Sequence, residues 1–220
     1  MYIGDIISDF YAEVKSSDTV AYTLDKINEL HFHQLPIVDE KEYKGLITEE
    51  QLIQISDDQL TLKDIKLLSP LIYIFDYQHV YDALQIISIY KTDILPVLNK
   101  QMQYIGVITN NDILKSLNST LDNAENGAII VLELDARDQS FTHLAHIIES
   151  ENTKIVNASS RAIPDSNKIE MTIKLNKNNI SSVIASLWRF DYEVKATFND
   201  GTDQDELLDR YDHLMNYLDL

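Results

Sequence analysis

The residues best suited to chemistry are Thr109-Asn110-Asn111-Asp112, set between an apolar run ending at Ile108 and a helical pattern starting near Asn110. A strand that runs straight into a helix leaves free backbone N–H groups and the positive end of a helix dipole. Such an end holds anions such as phosphate. The same four residues also fit a capping box, in which the Thr hydroxyl and the carboxylate satisfy the orphan N–H groups themselves. Both readings use Thr109 and Asp112, and the spacing leaves both open. A second copy, Thr48-Glu49-Glu50-Gln51, keeps the capping box but loses the carboxylate. Gln51 cannot offer two anionic acceptors. Lys115, Lys91, His79 and His33 are the basic candidates to accompany a phosphate.

Other polar groupings carry less. His143 and His146 stand three apart on a helical pattern, and His31 and His33 alternate near a helix end. A metal site normally needs three or four convergent ligands, so these read as surface histidines and no metal site is expected. Asp57-Asp58 and the Asp203, Asp205, Glu206 group read as solvated faces and caps. The chain has no GxxxxGK[ST], GxGxxG, HExxH or GxSxG pattern, and its five glycines leave little room for phosphate-cradling loops. No catalytic residue is assigned, and no cofactor is required. The absence of cysteine excludes disulfides, thiolate catalysis and Cys-based metal sites.

The elements that must position Thr48 and Thr109 come from an internal repeat. With an offset of 60, Val20, Leu24, Ile27, Leu35, Pro36 and Ile37 fall on Val80, Leu84, Ile87, Leu95, Pro96 and Val97. With an offset of 61, Gly45, Leu46, Ile47, Thr48, Leu52 and Ile53 fall on Gly106, Val107, Ile108, Thr109, Ile113 and Leu114. Two of five Gly and two of four Pro occupy matched positions, which generic apolar alignment would not produce. Each unit predicts an amphipathic helix, two short strands joined by a polar turn that absorbs the extra residue, and a second helix. Asp5-Ile6 and Asp64-Ile65 precede the units as lead-in turns.

This helix-strand-strand-helix pattern, with Leu-Pro-Ile/Val before the first strand and Gly-x-Ile-Thr closing the second, resembles the CBS domain family. The resemblance covers residues 1 to about 118, with repeat one at about 1–58 and repeat two at about 59–118. It implies an obligate pair with two pseudo-symmetric clefts that bind adenine nucleotides, S-adenosylmethionine or divalent cations. It further implies that Thr109 contacts phosphate and Asp112 accepts hydrogen bonds from a ribose diol. Adenine would lie against the Leu-Pro motif and the strand opening a repeat, which brings in Phe75, Tyr77, Leu95 and Pro96, although Leu95 reads as plain core. Lys115 would accompany the phosphate. A weaker second site would use Thr48, Gln51 and Pro36.

Residues 119–126 read as a polar linker. Beyond it, 128–134 predicts a strand, 141–148 a helix, 154–158 and 169–175 strands around Pro164-Asp165-Ser166-Asn167, 180–190 a helix and 192–198 a closing strand. This βαββαβ order makes a ferredoxin-like sandwich over residues 127–198. Behind a CBS pair it resembles the ACT-like domains of small CBS-ACT proteins of the acetoin-utilisation type. Amino-acid-binding ACT domains usually carry Gly at the turn after their first strand, where this chain has Asp135-Ala136-Arg137-Asp138, so a dimerising role fits at least as well. Residues 199–220 predict an acidic amphipathic tail helix, with Leu207, Leu208, Tyr211, Leu214, Met215 and Leu218 on one face.

The fold class is therefore α/β: a CBS pair, an ACT-like domain and a tail helix. The 220 residues are 45% apolar and 25% charged, and no stretch reaches the roughly 20 apolar residues of a membrane span. Eighteen Lys plus Arg against 36 Asp plus Glu give 18 − 36 = −18, which repels nucleic acid. So acidic a chain suits AMP or an adenosine derivative better than ATP without metal. The opening Met1-Tyr2-Ile3-Gly4-Asp5 lacks a secretory pattern and points to the cytoplasm. The functional expectation is a homodimeric regulator that binds AMP, ADP, ATP or S-adenosylmethionine and signals through conformation or assembly, acting on itself or a protein target. The alternative is a ligand-free scaffold that retains only the folds.

Overall fold

The computed structural model describes residues 1–68, 71–121, 126–137 and 140–200. The chain divides after Thr120 into two units.

In the first unit, α1 (Val20–Leu30) leads into the hairpin β1 (Gln34–Asp39) and β2 (Glu42–Thr48), followed by the single-turn α2 (Glu49–Ile53). A two-residue strand β3 (Ile74–Phe75) opens the second repeat. It continues as α3 (Val80–Tyr90), the hairpin β4 (Ile94–Leu98) and β5 (Tyr104–Thr109), and α4 (Asn110–Thr120). Both helices that start a repeat end on a left-handed residue, His31 at φ 57° and Lys91 at φ 51°. Both hairpins are antiparallel, with a bulge after Ile37 in one and after Val97 in the other. Val14 bridges Ile37 as Ile74 pairs with Val97, both parallel, so the repeat seen in the sequence extends to the ladder itself.

Each hairpin is completed by the lead-in segment of the other repeat. Ser8 N–H donates to the Val107 carbonyl at 2.8 Å, and Tyr2 bridges His79 at the start of α3. Ile3 N–H donates to the Gln78 carbonyl and Gly4 N–H to Asp76, and in mirror fashion Leu62 N–H donates to Asp18 and Lys63 N–H to Ser16, while Thr61 bridges Thr19 at the start of α1. The exchange explains the matched glycines. A Cβ on Gly45 would stand 2.5 Å from Leu67 Cδ1, and one on Gly106 would stand 2.6 Å from Ile7 Cγ2. Their φ values of 144° and 146° also lie where side chains are strained. One continuous core holds the unit together, and it includes Leu35, Leu46, Ile47, Leu95, Val107 and Ile108, all at most 1% exposed.

In the second unit, β6 (Ile129–Asp135), α5 (Phe141–Ser150), β7 (Ile155–Ala162), β8 (Lys168–Leu175), α6 (Ser181–Arg189) and β9 (Glu193–Phe198) build one antiparallel sheet. Its order β7-β8-β6-β9 is that of the ferredoxin-like sandwich. The alternation along β6 puts Ile130, Leu132 and Leu134 under Leu144, Ile147 and Ile148 of α5 and Val183, Ile184 and Leu187 of α6.

One local expectation needs correction, and others lie beyond the described residues. Ser119 and Thr120, read as linker, form the end of α4, where Thr120 Oγ1 donates to the Ser116 carbonyl at 2.9 Å and Leu117 packs on the core. Polar composition there marks an exposed helix end rather than a break. Residues 122–125 of the expected linker, Asp138 of the turn after β6, and residues 201–220 of the expected tail helix lie outside the described residues.

Candidate functional site

The two Thr residues stand at the same place in each repeat, at the junction of the hairpin's last strand with its following helix. Glu49 N–H donates to the His33 carbonyl at 2.8 Å, and Asn110 N–H to the Asp93 carbonyl at 3.3 Å, so each helix start is pinned to the residue just before the first hairpin strand of its own repeat.

In repeat two the capping box is complete. Thr109 Oγ1 accepts from Asp112 N–H at 3.2 Å, and the Asp112 carboxylate accepts from Thr109 N–H at 2.9 Å and from Thr109 Oγ1 at 2.7 Å. A third donor comes from the exchanged lead-in, the Ser8 hydroxyl. All three bonds fall on Oδ2, and Oδ1 takes none from a described residue. Burial disfavours the charged carboxylate, but the hydrogen bonds from Ser8 and Thr109 and the nearby Lys115 charge outweigh it and hold Asp112 below its ordinary value.

Repeat one corrects the sequence reading of Thr48-x-x-Gln51 as a capping box. Thr48 Oγ1 accepts from Gln51 N–H at 3.2 Å, but the Gln51 amide does not reach back to the Thr48 N–H. It donates instead to the Lys66 carbonyl at 2.7 Å. Lys66 lies in the lead-in that repeat two supplies, so an amide serves where the partner group is a carbonyl and a carboxylate where it is a hydroxyl. Asp112 and Gln51 thus do one structural job with opposite polarity.

A cavity of about 650 Å³ opens beside Thr48 and Gln34, between the repeats. Glu49, Glu50, Ile53 and Gln54 border it from repeat one, and Ile72, Tyr90 and Lys91 from repeat two. His33 borders it as well, with its Nδ1 3.0 Å from Asp93 and its backbone N–H donating to the same carboxylate at 2.8 Å. Gln34 Nε2 donates to Thr92 Oγ1 at 2.6 Å, so polar bonds between the two repeats run along one wall.

The remaining sequence candidates fall elsewhere. Pro36 and Pro96 are buried within their hairpins opposite Leu46 and Val107, and Leu95 is wholly buried. Phe75 pairs with Leu98 at one end of β4, whereas Thr109 pairs with Ile94 at the other. Four residues of strand, about 13 Å, separate the two registers. Tyr77 stacks on Phe75 at 5.1 Å between ring centroids, with Lys100 Nζ 5.6 Å from its own centroid, so this aromatic pair is not brought to Thr109. Lys115 is exposed one helical turn beyond Asp112, and His79 caps α3. His143 Nδ1 lies 2.7 Å from the Tyr192 hydroxyl on the second unit, and no metal-ligating cluster occurs among the described residues.

Tyr43 and Tyr104 were missed by sequence reasoning, although they share the repeat offset of 61. Both are buried. Tyr43 donates to the Ile72 carbonyl at 2.7 Å, and Tyr104 reaches Glu13 at 3.4 Å. Burial pushes both phenols above their ordinary range. Tyr90 and Lys91 were also missed as a pair, because the end of α3 meets a cleft that belongs by sequence to the other repeat.

Two matched repeats that exchange their lead-ins around a cleft define a paired-repeat module. The chain belongs to the CBS domain family, whose model matches residues 3–58 and 62–119. Among solved structures, a CBS domain pair/ACT domain protein from Thermotoga maritima is 19% identical, over 54% of this chain and 98% of that one, with a TM-score of 0.49. CBSX2 in complex with AMP is 20% identical, over 54% and 96%, at 0.46. The CBS domains of a transcriptional regulator from Streptococcus pneumoniae are 15% identical, over 52% and 98%, at 0.46.

Proposed function

We propose that this protein is a regulatory ligand sensor whose CBS pair binds an adenosine-type small molecule. The observation that carries the reading is the cavity beside Thr48 in a chain of this family, since its walls come from both repeats. A ligand filling it touches both halves of the module, and its binding energy differs between their arrangements. The candidate ligands are AMP, ADP, ATP and S-adenosylmethionine. In repeat two, Asp112 Oδ1 would take the ribose and Thr109 the phosphate, beside the Ser8 bond on Oδ2. The protein acts in the cytoplasm as a homodimer, through the ACT-like unit or a protein target, without catalysis. No helix among the described residues is long and apolar enough to cross a membrane.

The rival is a ligand-free scaffold. One observation favours it: Asp112 and Gln51 are each bonded to the opposite repeat's lead-in, which is what a purely structural role requires. Thermal shift of the full chain against the four adenosine compounds separates the two. A ligand at 100 times its Kd adds about 2.7 kcal/mol and raises Tm. No rise from any of the four would establish the scaffold.

A further inference from the structure

The two repeats differ in charge at matched positions. Glu49 and Glu50 of repeat one correspond, at the offset of 61, to Asn110 and Asn111 of repeat two. Resting on the ligand-sensing reading above, we infer that the repeat-one cavity selects an adenosine-type ligand bearing a positive charge and no phosphate.

Both glutamates border the cavity, and neither carboxylate is paired with a described residue. Against them stands Lys91, whose ammonium likewise has no described partner. The other basic side chain at the cavity, His33, is already matched by Asp93 at 3.0 Å. The helix that follows Thr48 has five residues, too few for a dipole that could attract phosphate. By contrast, the eleven-residue α3 presents its C-terminal end to the cavity through Tyr90 and Lys91, which adds partial negative charge. Phosphate therefore meets two carboxylates and a helix C-terminus against the single ammonium of Lys91, a balance that favours a cation. Ile53, Ile72 and the half-exposed Tyr90 ring supply apolar surface for a base, and an aromatic face also favours a cation. Gln51 is held by the Lys66 carbonyl, which leaves the glutamates to accept hydrogen bonds from the sugar.

Calorimetric titration of the full chain with S-adenosylmethionine, adenosine and 5′-AMP tests this. The affinity compared is the part lost in Ile53→Trp, a bulky substitution at an exposed residue of the cavity mouth, so that binding in the other cleft is set aside. The expected order is S-adenosylmethionine over adenosine over AMP, with at least about tenfold between the first and last, as one additional close charge contact provides. In the Glu49→Asn/Glu50→Asn variant, which installs the residues of repeat two, the ratio falls towards one. AMP bound in wild type as tightly as S-adenosylmethionine, or a ratio unchanged in the variant, overturns the inference and leaves ligand sensing standing. No binding by any of the three overturns both.

Discussion

Asp112 is the residue at which capping and ligand binding compete. Its Oδ2 gathers donors from Thr109 and from Ser8, 104 positions away in sequence, so its charge ties the start of α4 to the opposite lead-in. Because these bonds hold its folded carboxyl below the ordinary value, the stability they contribute is fully present above about pH 4 and is lost as pH falls through the lower folded value. Asp112→Asn should lower the unfolding free energy by about 1 kcal/mol at pH 7, the usual worth of a cap. Urea unfolding down to pH 3 should show the gap from wild type narrowing in acid, and a gap that stays constant would mean that the carboxylate's charge is not the anchor. The Thr-x-x-Asp spacing revealed the cap. It could not reveal Ser8, whose serine hydroxyl is unremarkable in the sequence and gains its role only when the chain doubles back.

At the scale of elements, the repeat was legible because two residue types that tolerate few substitutes, Gly and Pro, recur in register. Pro36 and Pro96 occupy matched hairpin positions, and the strands and helices of both units fall within a few residues of the periodicities. Exchange of the lead-ins was not legible, because a repeat offset shows which segments are alike and not which of them touch. The offset likewise did not show that the strand of Phe75 runs beside the end of β4 opposite Thr109. Gly106→Ala probes the exchange directly. The positive φ and the 2.6 Å approach of Ile7 predict a loss of about 1 to 3 kcal/mol. Adding Ile7→Ala removes the clash but not the backbone strain, so the double variant should be more stable than the sum of the singles by about 0.5 kcal/mol or more. Strict additivity in denaturant unfolding would mean that Ile7 does not press on Gly106.

For the molecule as a whole, the proposed function places sensing in the CBS pair and transmission or assembly in the ferredoxin-like unit. The open face of that unit's sheet carries Arg161, Lys168 and Lys195 laced with Glu133, Glu170 and Glu193, exposed pairs that set solubility and register more than stability. In the proposed function, sensing rests on one space, the cavity bounded by both repeats. The most direct measurement is calorimetric titration of the full chain with adenosine, run in parallel on wild type and on Tyr90→Ala. Tyr90 is 48% exposed and borders the cavity, so its truncation should leave Tm nearly unchanged while removing the ring against which a base would stack. Saturable binding to wild type, weakened about tenfold in Tyr90→Ala at equal Tm, is the predicted result. An absence of heat in wild type, or an affinity identical in the two proteins, would contradict the assignment of this cavity as the sensing site.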